Sequence, residues 1–382
     1  MAFNEEKPRY IKVKEAILEQ ILSGHLQVGE KMPGERKIAD KQKVSQMTAN
    51  RAIQELVKEG YLEREMGVGT FIISKDPVRK VAPKVNIVLF GEIGKREDNY
   101  NRAYEATYLT VEYLSKDIYM GTMLRSLMEA GYAYGCEFAF LTVAQPYELE
   151  MYLQQADRSR ESFVLINPLE SWTESIRLIG KTEMPAVAIS AHWENMGVPY
   201  VDTDNYNGAK IAIKHLFSLG HRQIAVFYSW PETANTRDRI MGVKDTMQEL
   251  GLKLDEEMFC NILGTDLQGI VDVKKALGNI IASGKTPTAI FAAGFELALA
   301  INTALRYYNL SIPEDVSLIG FDDSPAAIYL QPPLTTIKQP LHEMAKEAIS
   351  IIMSKHKESR SKTIPVELIL RNSTAVIKEP KI

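Results

Sequence analysis

The apolar positions in VSQMTANRAIQELVKEG, residues 44–60, fall at spacings that a helix brings onto one face. Ala49, Ala52, Ile53, Leu56 and Val57 recur at i, i+3, i+4, i+7 and i+8, which predicts one buried stripe. Ser45 stands where an N-cap belongs and Gly60 where a C′ residue belongs, so both ends of this helix are signalled. Upstream, Ile11, Ile17, Leu18, Ile21 and Leu22 set the buried face of a first helix over residues 10–23, and ERKIADKQ reads as a short second one. The stretch between them, GHLQVGEKMPG, has the Gly and Pro content of a connection. After Gly60, YLEREMGVGTFII reads as two short strands joined through Met66, Gly67, Val68 and Gly69, a glycine-tipped hairpin. Helix, helix, turn, helix and hairpin in this order describe a winged helix-turn-helix over residues 1–76.

SKDPVRKVAPK is charged, holds Pro77 and Pro83, and lacks apolar periodicity, so residues 77–84 read as a linker. From Val85 to the end the pattern alternates. The apolar runs VNIVLF, CEFAFLTV, SFVLI, AVAIS, QIAVFY, AIFAA and VSLIGF are separated by helical stretches such as MGTMLRSLMEAG, GAKIAIKHLFSLG and LALAINTALRYYN. Strands without polar alternation, divided by helices, predict an α/β domain of parallel sheets covered on both faces. Residues 85–382 leave room for two such lobes, with a ligand expected between them at the carboxyl ends of the strands.

Composition narrows the picture less than charge does. The chain has 382 residues, 45% hydrophobic and 25% charged, as an ordinary multi-domain globular protein has. Its two cysteines, Cys136 and Cys260, are far apart, so a disulfide framework or zinc site is not supported. The N-terminus lacks an apolar signal region and no 18-residue apolar run occurs, so a cytoplasmic location without a membrane partner is expected. The net charge of −4 is unevenly placed. Residues 1–84 hold 16 Lys and Arg against 12 Asp and Glu, a net of +4, which leaves −8 on the rest. A basic head on an acidic body hints at a polyanionic partner.

The outer face of the third helix carries Met47, Asn50, Arg51 and Gln54, with Gln46 and Thr48 at its front rim. A solvated outer face is the default for any helix. A preceding helix reached by a short turn, with a wing behind, is however the arrangement that presents a helix N-terminus to the DNA major groove. Asn and Gln can pair with adenine, Arg with guanine, and Thr with a thymine methyl or a phosphate. MPGERKIADKQKVSQMTANRAIQELVKEGYLEREMGVGTF, and residues 8–74 as a whole, resemble the DNA-binding domain of GntR-type regulators. The resemblance implies DNA contacts from Arg36 on the second helix and from Ser45, Gln46, Met47, Thr48, Asn50 and Arg51 around the start of the third. Gly67 and Gly69 would shape the wing tip. Where that family commonly has arginine this chain has Gln46 and Asn50, and Val68 stands where a basic residue is frequent. Fewer cations imply a shallower salt dependence, and A·T pairs at the positions read by Gln46 and Asn50.

A second resemblance lies downstream. VDTDNYNGAKIAIKHLFSLGHRQIAVF, TRDRIMGV, IPEDVSLIGFDDSPAAIYLQPPLTTIKQP and MAKEAISIIM are similar to the effector domain of LacI-type regulators, which has the periplasmic sugar-binding fold. A GntR-type head on a LacI-type body is the architecture of arabinose-repressor-like regulators. From the residues alone, Asp322 follows the strand VSLIGF and Arg239 heads the helix RIMGV, where each could hold two hydrogen bonds to a polyol. By position Arg239 and Asp322 match the family's sugar contacts, Gln339 faces the cleft rim, and Ser190 replaces a frequent Asp. Gly294 and Phe295 stand where relatives commonly have Asn and Asp. Either Phe295 meets a deoxygenated carbon of the ligand, as in a 6-deoxyhexose, or it belongs to the packing. Trp193 and Trp230, in strand-end loops like Trp172, could stack on a sugar face. Asp323 and His221 read as structural, and the Tyr-rich segment at residues 91–115 reads as a lid, an arm or a binding loop.

No phosphate loop, nucleophile elbow or H-E-x-x-H occurs, and the six histidines show no ligand spacing, so neither catalysis, nor a metal, nor a cofactor is expected. The expectation is a homodimeric, DNA-binding repressor released or recruited by a small sugar, arabinose or fucose for instance. A nucleobase effector and a sugar-transport protein are the alternatives.

Overall fold

The computed structural model describes residues 8–65, 68–75, 82–90, 118–143, 145–168, 172–182, 184–193, 196–262, 267–354 and 361–377. The chain divides into two compact units, residues 1–82 and 83–382. Gly67, the linker residues 77–81 and the Tyr-rich segment 91–115 lie outside the described residues.

The first unit holds helices α1 (Arg9–Leu22), α2 (Glu35–Gln42) and α3 (Gln46–Lys58), then strands β1 (Leu62–Glu65) and β2 (Gly69–Ile72). Ala49, Ala52, Ile53 and Leu56 of α3 are buried together with Val13, Ile17 and Ile21 of α1. The buried row on α1 is i, i+4, i+8 from Val13, so Ile11 is only half-buried and Leu22 lies 58% exposed. That corrects the expected face of α1, which puts both inward: at the helical period Leu22 falls on the side away from the Val13, Ile17 and Ile21 row, while Ile21 on the same turn is fully buried. Ser45 caps α3, its Oγ accepting from the Thr48 amide at 3.2 Å. Gly60 has φ +79°, and the Tyr61 amide closes the helix end on the Leu56 carbonyl at 3.0 Å. Ser45→Ala should therefore lower the stability of this unit by about 1 kcal/mol, read as a lower denaturation midpoint of the first unit.

β1 and β2 pair antiparallel from Leu62–Ile72 to Glu65–Gly69. The connection before α2 adds a bridge, Lys31 to Phe71, which makes β2 the middle of the sheet. At Gly69 the backbone holds φ +150°, a conformation that a side chain would strain, so this turn favours glycine.

The second unit has two parallel sheets. The first has the order β13-β7-β6-β5-β3-β4, where β3 is Lys84–Phe90, β4 Glu137–Val143, β5 Glu161–Ile166, β6 Ala186–Ile189, β7 Tyr200–Thr203 and β13 Lys362–Ile364. The second has the order β14-β12-β11-β10-β8-β9, where β8 is Ile224–Tyr228, β9 Phe259–Asn261, β10 Ala289–Ala292, β11 Ser317–Phe321, β12 Thr335–Lys338 and β14 Glu367–Ile369. Every pair is parallel except β12 with β14.

Helices α4 (Ile118–Tyr132) and α11 (Leu341–Met353) cover one face of the first sheet, and α5 (Pro146–Gln155) with α6 (Thr173–Lys181) the other. On the second sheet α7 (Asn205–Ser218) and α8 (Ala234–Glu249) lie opposite α9 (Leu267–Ala282) and α10 (Phe295–Tyr307). Strands β5, β6, β10 and β11 are buried at every residue, as sheets covered on both faces require. The chain passes between lobes three times: from β7 into α7, from β12 into α11, and from β13 into β14. Among the described residues no helix is long and apolar enough to cross a membrane.

Candidate functional site

In the first unit, α3 turns a mostly polar surface outward. Glu35, Gln46, Met47, Asn50, Arg51, Gln54, Glu55 and Lys58 line an open depression along it. Ser45, Gln46, Met47 and Arg51 are exposed, as is Arg36 on α2. The hydrogen bonds qualify this surface. Asn50 Nδ2 donates to Glu35 Oε1 at 2.7 Å, and Arg64 Nη2 donates to the same oxygen at 2.5 Å. The Arg51 guanidinium lies 4.0 Å above the Tyr10 ring. Thr48 shares its hydroxyl with Ser45 at 2.8 Å. Glu35 and Arg64 were not among the sequence candidates, because nothing local in the sequence puts a helix start beside a wing strand.

In the second unit, the strand ends meet at two of the three crossings through one chain of polar side chains. Arg239 is 6% exposed on the first turns of α8. Its Nε donates to Asn205 Oδ1 at 2.9 Å, its Nη1 to the Ala293 carbonyl at 2.7 Å, and its Nη2 lies 3.6 Å from Asp322 Oδ1. The guanidinium also stacks 3.8 Å above the Phe321 ring. Gln339 sits on the crossing after β12 and is buried, not at a rim as its position suggested. The crossing itself covers it: Thr203 Oγ1 donates to its Oε1 at 2.6 Å, and its Nε2 donates to Asp322 Oδ1 in a close contact. Asn205 Nδ2 returns to Asp202 Oδ1 at 3.2 Å. Asp202, Asn205, Arg239, Asp322, Gln339 and Thr203 thus form a loop of contacts through two of the crossings.

Ser190 is fully buried at the end of β6, and its hydroxyl shares a close hydrogen bond with Tyr119 at the start of α4. Burial pushes the Tyr119 phenol up, with Asp322 and Asp202 adding to the shift, so this hydroxyl stays protonated. Four non-glycine residues at or just beyond strand ends hold left-handed backbone: Asn167 after β5 (φ 45°), Ser190 after β6 (φ 59°), Trp230 after β8 (φ 55°) and Asp322 after β11 (φ 68°). Strain of this kind collects at binding sites. Asn235, on the same helix face as Asp238 and Arg239, has a buried Oδ1 without a hydrogen-bond partner.

The aromatic candidates separate. Trp230 is 52% exposed and free to stack. Trp193 is half-buried against the first lobe's core, its indole nitrogen enclosed without a partner. Trp172 is core, 4.9 Å from Phe90. Phe295 is 3% exposed and packs in the second lobe with Phe227 and Met258, which favours the packing reading. Asp323 lies 2.8 Å from Arg371 in an ion pair without hydrogen-bond alignment. His221 is enclosed by Thr288, Ser317 and the Ala375 carbonyl; its Nε2 donates to that carbonyl at 3.0 Å, and burial pushes its pKa down.

His192, absent from the sequence candidates, lies between the lobes. Its Nδ1 is 3.4 Å from Asp202 Oδ2 on β7 and 3.6 Å from Asp238 Oδ2 on α8. The bond to Asp202 raises the His192 pKa above 6.5, with Asp238 helping and Arg237 opposing. Burial raises Asp238 as well. A raised folded-state pKa stabilises below the unfolded value and loses that contribution as pH rises through the folded one. The second unit should therefore lose stability from about pH 6.5 upward. His192→Gln should flatten that slope in thermal melts taken between pH 6 and pH 8.5 (roughly the span of the histidine titration).

Comparison with known proteins gives this geometry its class. Residues 9–72 match the gntR family of bacterial regulatory proteins, and residues 213–374 match the periplasmic binding protein-like domain. The chain is a transcriptional regulator that joins a gntR-family DNA-binding domain to a periplasmic binding protein-like domain. An arabinose metabolism transcriptional repressor of Geobacillus stearothermophilus is 28% identical over 97% of this chain and 98% of its own length. Among solved structures, a complex of the transcriptional regulator CelR with cellobiose aligns with TM-score 0.62 at 20% identity, over 95% of this chain and 99% of that one. A LacI family regulator from Enterococcus faecium with bound ribose aligns with TM-score 0.59 at 22% identity, over 77% and 100%. These two likenesses establish the fold.

Proposed function

We propose that the protein is a homodimeric repressor whose operator affinity is set by a small neutral sugar, a pentose such as arabinose before a 6-deoxyhexose such as fucose. The carrying observation is the polar loop Asp202–Asn205–Arg239–Asp322–Gln339–Thr203, which ties the strand ends of both lobes together through two crossings. A ligand hydroxyl that takes a place in this loop changes the contacts between lobes. The same ligand then shifts DNA affinity in proportion to its preference for one lobe arrangement.

Several features support the ligand class. The cations at this site are already engaged: Arg239 directs its donors at protein acceptors and faces Asp322, and His192 lies between Asp202 and Asp238. That engagement disfavours a phosphorylated sugar. With Phe295 in the core, nothing at that position calls for a deoxygenated carbon, so the pentose leads. The near full-length likeness to a repressor of arabinose metabolism points the same way. Relatives named as the repressor PurR, 26% identical over 68% of this chain, keep a nucleobase among the tests.

A thermal-shift panel of pentoses, deoxysugars, phosphosugars and nucleobases tests the proposal. A ligand at a hundred times its Kd adds about 2.7 kcal/mol of stability. The expected pattern is a shift with a pentose and silence with phosphosugars, together with a loss of operator binding on adding the same pentose. A shift given by nucleobases alone would overturn the sugar assignment. If a variant lacking residues 1–76 kept operator binding, the DNA-binding assignment would fall.

A further inference from the structure

The outer face of α3 commits most of its polar side chains within the protein. Asn50 and Arg64 both donate to Glu35, Arg51 is parked over Tyr10, and Lys58 pairs with Glu55 at 3.3 Å. In the first turn this leaves Gln46 and Met47. Met47 is 82% exposed, although the seven other residues that line its depression are all polar or charged. A single exposed apolar side chain needs no explanation in general. Its position changes that: among the described residues it is the one apolar group in the α3 depression, the surface that a winged helix-turn-helix offers to the major groove. The major groove in turn displays one apolar group, the C5-methyl of thymine. An unbranched thioether has the reach and adaptability to cover it.

We propose that Met47 is a specificity-determining residue that reads a thymine C5-methyl in each half-site, with Glu35 holding Asn50 back from the bases. The inference rests on the regulator reading above and adds the chemical group that the helix recognises. It moves the reading of the half-site from the pair Gln46 and Asn50 to the pair Gln46 and Met47.

The test begins with selection of binding sites by the full chain from a random duplex library. In the selected operator each thymine is then replaced by deoxyuridine, which removes the methyl group and nothing else. One thymine per half-site is expected to matter, its replacement weakening the wild-type protein about fourfold, the effect of one buried methyl-sized group. Met47→Ala should bind the thymine and uracil operators equally, while Met47→Leu keeps the difference. Because Met47 is exposed on a helix that alanine favours, neither substitution threatens the fold. A selected operator indifferent to every replacement, or a Met47→Ala protein with undiminished sensitivity, would overturn this inference alone. A library that yields no enriched sequence would overturn the regulator reading and this inference with it.

Discussion

Arg239→Ala is expected to lower the stability of the second unit by about 3 kcal/mol and to abolish the ligand-induced thermal shift. The cost follows from what the guanidinium leaves behind. Asn205 Oδ1 and the Ala293 carbonyl lose their donors, Asp322 loses the cation facing it, and the Phe321 ring loses a stacked group. Removing one member of a buried charged pair leaves the other charge uncompensated, which costs more than the pair contributes. Arg239→Lys keeps the charge but cannot reach three acceptors from one ammonium, so it should recover only part of the stability. Urea unfolding followed separately for each unit reads the result: the transition of the second unit moves and that of the first does not. If Arg239→Ala still responded to ligand with the wild-type shift, the interlobe loop would not be the effector site.

The contrast between Asp322 and Gln339 shows what the sequence could and could not carry. Asp322 directly follows an apolar run whose strand character is unambiguous, and it stands just beyond β11, whereas Arg239 reads as the head of a helix RIMGV but lies inside α8, which begins earlier, at Ala234. Gln339 reads as a rim residue because position along the chain does not reveal that its amide is taken up between Thr203, at the end of β7, and Asp322, beyond β11. His192, Asp202, Asn205 and Tyr119 were missed for the same reason. Their significance arises from contacts between segments far apart in sequence, such as Tyr119 with Ser190. Local signals fared better. The N-cap at Ser45, the left-handed Gly60 and the buried row of α3 each depend on a few neighbouring residues, and each stands in the structure as read, except that Val57, at the edge of the row, is only half-buried. Lys31 is the counterexample within the same unit: its bridge to Phe71 lies in a Gly- and Pro-rich stretch that reads only as a connection. Asn50 is a subtler case, since its residue type suits adenine but its amide is bound by Glu35, fifteen positions earlier.

Leu56→Ala should cost the first unit about 3 kcal/mol and thereby weaken operator binding while ligand binding by the second unit persists. Leu56 is fully buried, in a cluster whose other members include Ile17, Ile21, Ile53, Leu62 and Ile72, contributed by α1, α3 and both wing strands. Truncation leaves a cavity where these elements meet. At about 0.05–0.15 kcal/mol per residue a domain of this size has a total stability of roughly 4–12 kcal/mol, so the loss takes a large share of the whole. Recognition weakens with it, because α3 presents its outer face only while its inner face is packed. Gln54→Ala is the matched control on the same helix: Gln54 is exposed, lines the depression and supports no core contact, so stability should change by less than about 0.5 kcal/mol. Operator binding and ligand-induced thermal shift, measured on both variants at 37 °C, separate folding of the head from reading by its surface. Retention of full operator affinity by Leu56→Ala would mean that the DNA restores the packing the mutation removes, and an operator added during thermal unfolding would then raise the first transition by the lost amount.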